Sequence, residues 1–187
     1  NLLIDAKKIT SEVRNHTADL KLHEYHLSEI DIVSWASNYV DKVKDRYKNV
    51  EIIFYIAKEI QSEDNPIQLK VSANEDLLSI LFDNLLSNIL THAFNWNDSE
   101  NRRIEIDIAI DHEHNIFNIF FSNTGNPFPS NFSMDDFSRK GIKNGENAGN
   151  GIGGHLIVSI INYFSGDWYI VDETSSEGLP NTDLVTT

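Results

Sequence analysis

The stretch Gly149-Asn150-Gly151-Ile152-Gly153-Gly154 carries the main structural signal of this sequence, because it runs directly into a predicted helix. All nine glycines of the 187-residue chain lie at or after Gly125, and six of them fall between Gly141 and Gly154. Loops favour glycine, so an ordinary surface loop is one interpretation. Glycines before a helix also let the backbone approach a ligand, while free N–H groups and the helix dipole attract an anion. A phosphate-binding loop is therefore the other interpretation.

The common phosphate-binding motifs fit this stretch poorly. It formally satisfies G-x-G-x-x-G, yet a dinucleotide-binding turn follows a strand directly, and here a long polar segment comes first. A P-loop needs G-K-[ST], and a eukaryotic-type protein kinase needs H-R-D and D-F-G; none of these motifs occurs. If the loop binds phosphate, it belongs to a different kind of site.

The composition excludes several classes of protein. The formal net charge is −14 and no basic stripe is visible, which argues against nucleic acid as a partner. Cysteine is absent, so disulfides and thiolate metal sites are excluded. No apolar run in the sequence approaches the ~20 residues of a membrane-spanning helix, and we expect no signal peptide in these residues. The chain begins at Asn1 and not at a methionine, and we expect it to be a piece of a longer protein.

The strongest predicted helix begins at Asn74 and carries a second group of chemically useful residues. Asn84, Asn88 and His92 follow one another at intervals of four residues, so they share one face. Asparagine forms helices poorly, and either a solvated polar face or an oxygen-ligand site would explain it. Amide oxygens suit Mg²⁺, which prefers hard oxygen ligands. The opposite, apolar face is predicted to contain Leu77, Leu78, Leu81, Phe82, Leu85 and Ile89.

A third group, Asn123-Thr124-Gly125-Asn126-Pro127, follows an apolar strand predicted at 116–122. These residue types are typical of a turn. A polar side chain beside a glycine at a strand end could also bind the edge of a nucleobase, since glycine leaves room for a flat ring.

The remaining pattern predicts helices packed on one sheet. The sum is an α+β fold, a two-layer α/β sandwich whose mixed, mostly antiparallel sheet is covered by helices on one face. Helices are predicted over the first twenty or so residues, from Asp31 or Ser34 through Tyr47, from Asn74, and from the glycines to Gly166. Strands are predicted near 25–27, at 50–56, 68–71, 103–110, 116–122 and 168–171, and from Leu184 onward.

Taken together, the three groups resemble the histidine-kinase branch of the Bergerat-fold ATPases, a superfamily that includes type II topoisomerases and heat-shock chaperones. Residues 81–88 look like its N box, 123–125 its first glycine box and 149–153 its second, while Phe137 and Arg139 look like the F box of its ATP lid. The resemblance implies a Bergerat ATPase fold, with the catalytic ATP-binding domain at 23–187 and a lid at about 126–150. Residues 1–22 would then be the C-terminal stub of a dimerisation and phosphoacceptor helix.

The resemblance also implies roles for individual residues. Asn88 would hold Mg²⁺ at the phosphates of ATP and Asn84 would line the same pocket, while Asn123 would bind the adenine amino group. The implied catalytic residues are Asn84, Asn88 and Arg139, and the implied metal ligand is Asn88. The implied cofactor-binding residues are Asn84, Asn88, His92, Asn123, Gly125, Arg139, Gly149, Gly151, Ile152, Gly153 and His155. Of these, His155 could either contact the phosphates or cap its helix.

The sequence departs from the family pattern at several of these boxes. Asn123 stands where the family has aspartate, Pro127 where it has glycine, and Thr91 where lysine is common. An amide can still accept from the adenine amino group and donate to the adjacent ring nitrogen. Asn84 stands where ATP-hydrolysing members have glutamate, and an amide is a poor general base, so phosphotransfer is favoured over hydrolysis.

The function implied is that of a protein histidine kinase fragment in two-component signal transduction. It would bind Mg-ATP and transfer the γ-phosphate to a histidine on a dimerisation domain absent from the chain, since His16, His23 and His26 lack the phosphoacceptor context. The expected partners are that domain, in a homodimeric parent protein, and a response regulator downstream; the expected location is the cytoplasm. The alternatives are a degenerate nucleotide-binding regulatory module without phosphotransfer and an ATP-hydrolysing or serine-kinase relative.

Overall fold

The computed structural model describes residues 21–60, 67–94, 102–128, 132–139 and 153–170, together with the backbone of 185–186. The helix predicted over the first twenty residues lies outside these ranges. None of the helices within them is both long and apolar enough to cross a membrane.

Helices and strands alternate irregularly along the chain, as the α+β prediction requires. A 3₁₀ turn at Leu22–Glu24 precedes them. The elements are β1 (Ser28–Asp31), α1 (Ile32–Arg46), β2 (Glu51–Ile56), β3 (Lys70–Ala73), α2 (Glu75–Asn88), β4 (Arg103–Asp111), β5 (Ile116–Asn123), α3 (Met134–Ser138), α4 (Gly153–Tyr163) and β6 (Val185–Thr186). Helix α2 continues into a π-helical turn at Ile89–Ala93.

The strands form two sheets. β1 and β3 pair antiparallel, with Ser28 opposite Ala73. The larger sheet has the order β2-β4-β5-β6, in which β2 and β4 are parallel and the other neighbours are antiparallel. The prediction of a mixed, mostly antiparallel arrangement packed against helices is confirmed.

Local side-chain caps explain where two of the helices begin. The Asp31 carboxylate accepts from the N–H groups of Val33 and Ser34, and α1 starts at Ile32, directly after Asp31. The Asn74 side chain accepts from the N–H groups of Asp76 and Leu77 at 3.0 and 3.2 Å. Its amide nitrogen also donates to the carbonyl oxygen of His26, which ties the start of α2 to the segment before β1. Of the two starts predicted for α1, the structure selects Asp31, and Asn74 lies where the start of α2 was predicted; a polar residue at these points satisfies N–H groups that lack an intrahelical partner.

The core lies between α2, α4 and the inner face of the larger sheet. Ile104, Ile106 and Ile108 of β4 are fully buried and alternate with partly exposed residues, as one covered sheet face requires. Helix α4 contributes Leu156, Ile157, Ile160 and Ile161. Helix α2 contributes Leu77, Leu78, Leu81, Phe82 and Leu86. Leu85 and Ile89, which were predicted on this face, are only half-buried, so the buried face of α2 is turned slightly toward Leu86.

Several predicted strand positions were wrong. β1 begins after the strand predicted near Tyr25–Leu27, and β3 extends beyond the predicted 68–71 to Ala73. Residues 168–170 do not form a strand; Trp168 packs its ring against Phe137 instead, with centroids 5.3 Å apart. The predicted end of α4 at Gly166 is also too late, because the helix ends at Tyr163 and Ser165 adopts a left-handed conformation with φ 63°.

Candidate functional site

Gly153 lies beside Asn84 and Asn88, so the predicted second glycine box and the predicted N box come together here. A Cβ added to this glycine would lie 3.3 Å from Oδ1 of Asn88 and 3.4 Å from Oδ1 of Asn84. Gly153 is the first residue of α4, and both asparagines lie on α2. Two amide oxygens from one helix therefore meet the start of another helix at a point where the missing side chain of the glycine leaves space beside them. This cleft between α2 and α4 is called the amide cleft below.

Hydrogen bonding orients the two amides differently. Nδ2 of Asn84 donates to the carbonyl oxygen of Ile80 at 2.7 Å, and this bond fixes the side chain against its own helix. Asn88 makes no side-chain hydrogen bond to any residue that the structure describes. Both side chains are half-buried. Asn84 is thus held in place, whereas Asn88 has an oxygen available for a ligand.

The amide cleft has the chemistry of an anion and hard-metal site. The first turn of α4 has N–H groups without intrahelical partners, and its dipole favours negative charge. Neutral amide oxygens suit Mg²⁺, and a magnesium ion held by them could take phosphate oxygens as further ligands. The space that a Cβ at Gly153 would fill is available to a phosphate group or a metal ion. Among the described residues there is no cluster of histidine and carboxylate side chains that could hold a metal instead. Gly149, Gly151 and Ile152 of the predicted second glycine box lie outside the described residues.

The helix that carries the amides ends in a wider turn than was predicted. Instead of continuing as α-helix, the chain forms the π-helical turn Ile89–Ala93, with the N–H of Ile89 shared between the carbonyls of Leu85 and Leu86. A π turn closes its hydrogen bonds over five residues, so positions after Asn88 shift around the helix axis. His92, predicted on the same face as Asn84 and Asn88, lies in this turn with an exposed side chain.

Two hydrogen bonds between Thr124 and Arg103 fix the turn after β5. The N–H of Thr124 donates to the Arg103 carbonyl, and the N–H of Arg103 donates to the Thr124 hydroxyl, both at 3.1 Å. The hydroxyl takes the place that a strand carbonyl would normally occupy, so the backbone can leave the sheet at this point. Asn123 lies just before it, opposite Ile104 in the register of the sheet, with an exposed side chain.

Gly125 packs against the end of the π-helical turn. The Asn126 N–H donates to the Ala93 carbonyl at 2.6 Å, and a Cβ added at Gly125 would collide with that same carbonyl oxygen. The Gly125 N–H donates to Oδ1 of Asn123 at 2.9 Å. The predicted first glycine box is therefore anchored to the helix that carries the predicted N box.

The segment predicted as the F box docks on the start of α4. The Phe137 carbonyl lies against Gly154, where a Cβ would collide with it. Nδ1 of His155 lies 3.0 Å from the Ser138 carbonyl oxygen, so the ring contacts the predicted F-box segment, while a phosphate contact by His155 stays a prediction. Arg139 is exposed and lies 3.6 Å from the Asp135 carboxylate, and its role at the γ-phosphate stays a prediction.

Two features near the site were not predicted. Tyr39 on α1 donates to the Asp83 carboxylate at 2.6 Å, and burial together with this carboxylate raises the pKa of the tyrosine hydroxyl well above its usual range. The bond holds α1 against α2 one residue before Asn84. An aromatic cluster formed by Phe128, Phe132, Phe137 and Trp168 connects the segment after β5 and the predicted F-box segment to the chain after α4. The density of phenylalanine in an otherwise polar segment is the signal that could have revealed the cluster.

Comparison with known proteins places the fold. No protein-family profile matches the sequence, and no curated protein matches it. Solved structures do match: the mycobacterial sensor histidine kinase MprB has a TM-score of 0.58 at 14% identity, over 81% of this chain and 89% of that chain. The catalytic domain of histidine kinase ThkA gives 0.59 at 18% identity, over 79% and 89%. The ATP binding domain of PrrB from Mycobacterium tuberculosis gives 0.51 at 11% identity, over 75% and 82%. The chain has the fold of the catalytic, ATP-binding domains of sensor histidine kinases.

Proposed function

We propose that this chain binds Mg-ATP and presents the γ-phosphate to a histidine on a dimerisation domain of the same parent protein. The convergence of Asn84, Asn88 and Gly153 carries the proposal. Gly153 lies 65 positions after Asn88 in the sequence, and the family resemblance assigns all three residues to one phosphate pocket. Residues 23–187 would be the catalytic domain and 126–150 its lid, in a cytoplasmic homodimer that passes phosphate on to a response regulator.

The proposed chemistry consists mainly of positioning and charge neutralisation. Asn88 would hold Mg²⁺, which supplies positive charge to the triphosphate when bound. Asn84, fixed by its bond to Ile80, would line the pocket without abstracting a proton, because an amide is a poor base. The start of α4 would bind phosphate through its N–H groups. Holding the γ-phosphate in line with an incoming histidine then supplies most of the rate enhancement.

Calorimetric titration with Mg-ATP tests the binding step. Asn88→Ala removes the available amide oxygen, and we expect affinity to fall at least about tenfold, since one metal or phosphate contact contributes on the order of 1.5–3 kcal/mol. Asn162→Ala is the matched control, because Asn162 is an exposed asparagine on α4 away from the cleft. Parental affinity in Asn88→Ala, or no ATP binding by the parent chain, contradicts the proposal.

A nucleotide-binding regulatory module without phosphotransfer is the second candidate. The observation that favours it is the position of Arg139, whose guanidinium lies beside Asp135 with 63% of its side chain exposed. Radiolabelled ATP distinguishes the two functions. Label on the histidine of a separately added dimerisation domain supports the kinase, whereas ATP binding without transfer supports the module. Stable phosphohistidine on this chain alone contradicts both.

A further inference from the structure

The carboxamide of Asn123 presents a hydrogen-bonding edge that a carboxylate could not present. Its Oδ1 accepts from the Gly125 N–H at 2.9 Å. Only the oxygen of an amide can accept such a bond, so chemistry fixes which atom is which. Nδ2 makes no hydrogen bond to any residue in the described part of the chain, and the side chain is exposed. Asn123 therefore offers one donor and one acceptor side by side.

The backbone that carries this edge is held on both sides. Asn123 is the last residue of β5 and lies opposite Ile104. The next residue is bound to Arg103 through both its N–H and its hydroxyl. The backbone of Asn123 is therefore fixed, and only the rotation of its terminal amide can adapt to a ligand.

The two purines present opposite patterns at the edge that such an amide would meet. Adenine donates from its exocyclic amino group and accepts at N1, whereas guanine accepts at O6 and donates from N1. A carboxylate only accepts, so it pairs with the amino group of adenine and repels O6 of guanine. An amide satisfies either pattern, because rotation about its terminal torsion exchanges oxygen and nitrogen.

We infer that Asn123 relaxes the choice of purine, so that the site binds Mg-GTP as well as Mg-ATP. The inference rests on the nucleotide site proposed above. Rotating the amide to suit one of the purines breaks the bond between Oδ1 and the Gly125 N–H. The loss of one such bond changes an equilibrium constant by about two- to tenfold. We therefore expect the two dissociation constants to lie within about tenfold of each other.

Calorimetric titration of the chain with Mg-ATP and, separately, with Mg-GTP tests the inference. The ratio of the two dissociation constants in the parent chain needs no variant. Asn123→Asp keeps the shape of the side chain but removes the donor, and it should shift the ratio toward ATP by at least about tenfold, because O6 of guanine then faces a second acceptor. Asn126→Asp adds the same charge at an exposed neighbour and should leave the ratio unchanged.

The outcomes separate this inference from the proposed function. A parent ratio above tenfold, or a ratio that Asn123→Asp does not shift, overturns the relaxed choice of purine while detectable ATP binding leaves the site itself in place. If neither nucleotide binds, the proposed function fails and the inference fails with it.

Discussion

A methyl group on Gly153 would test directly whether ligands bind between α2 and α4. In Gly153→Ala the new Cβ would lie 3.3 Å from Oδ1 of Asn88, 3.4 Å from Oδ1 of Asn84 and 3.8 Å from Nδ2 of Asn88. The closest of these distances are slightly tighter than ordinary van der Waals contact, and an asparagine side chain can move by the few tenths of an ångström required. The folded chain should therefore accept the alanine.

The free energy of unfolding should change by less than about 1 kcal/mol in this variant. Gly153 does not adopt the left-handed conformation that would disfavour alanine. Alanine is favoured over glycine within a helix by up to about 1 kcal/mol, and this gain offsets the crowding against the amides. Urea unfolding of the parent and the variant measures the difference.

The affinity for Mg-ATP should fall much more than the stability does. The methyl group fills the space in which phosphate oxygens would meet the two amides and the first N–H groups of α4. Losing one such charged contact costs about 1.5–3 kcal/mol, which raises the dissociation constant roughly ten- to hundredfold. Calorimetric titration provides the number.

Gly154→Ala is the matched control, since it adds the same methyl group one residue later. There the Cβ would collide with the Phe137 carbonyl, so the variant should release the lid segment and leave the amide cleft open. We expect faster hydrogen exchange in residues 132–139 and a smaller loss of ATP affinity than in Gly153→Ala. If Gly153→Ala is folded and binds Mg-ATP as tightly as the parent, the phosphate pocket is not in the amide cleft.

Three further predictions concern contacts outside the cleft. Tyr39→Phe removes a hydrogen bond to the partly exposed Asp83, and urea denaturation should show a loss of about 1–2 kcal/mol; an unchanged midpoint would mean that the bond does not hold α1 to α2. In an NMR titration the pKa of His114 should lie above its ordinary value, because the Asp111 carboxylate bonds its ring, and Asp111→Asn should lower it. The stability from this pair is complete at pH below the ordinary histidine pKa and is lost as the pH rises through the raised one. Asn74→Ala removes a helix cap and should lower the free energy of unfolding by about 1 kcal/mol, measured by thermal denaturation, and a stability equal to the parent's would contradict the cap.

Elements marked by local chemistry could be predicted from the sequence. Asn74 is followed by a regular apolar pattern, and a cap plus a periodic stripe identifies a helix without knowledge of its neighbours. The strands β4 and β5 were predicted almost to their ends, since alternating residues and a polar turn at 111–115 are also local signals. Asn84, Asn88 and Gly153 were assigned to one site through the family resemblance of their motifs, and the structure places them side by side.

Features that depend on distant contacts could not be predicted. Tyr39 and Asp83 are separated by 44 positions, and neither residue alone indicates a hydrogen bond between two helices. The Thr124 hydroxyl finds its donor 21 positions earlier, at Arg103. Residues around Trp168 have the composition of a strand, yet strand propensity measures how well a side chain fits a half-buried surface, and here Phe137 supplies that surface.

The position of β2 has a consequence for handling the protein. This strand reads Glu-Ile-Ile-Phe-Tyr-Ile and lies at the edge of the larger sheet, and among the residues that the structure describes no strand pairs with its outer side. An apolar edge strand that carries a single charged residue can pair with strands from other molecules. Self-association at high concentration should therefore begin at this edge, and one lysine in place of Ile53 should suppress it without touching the nucleotide site.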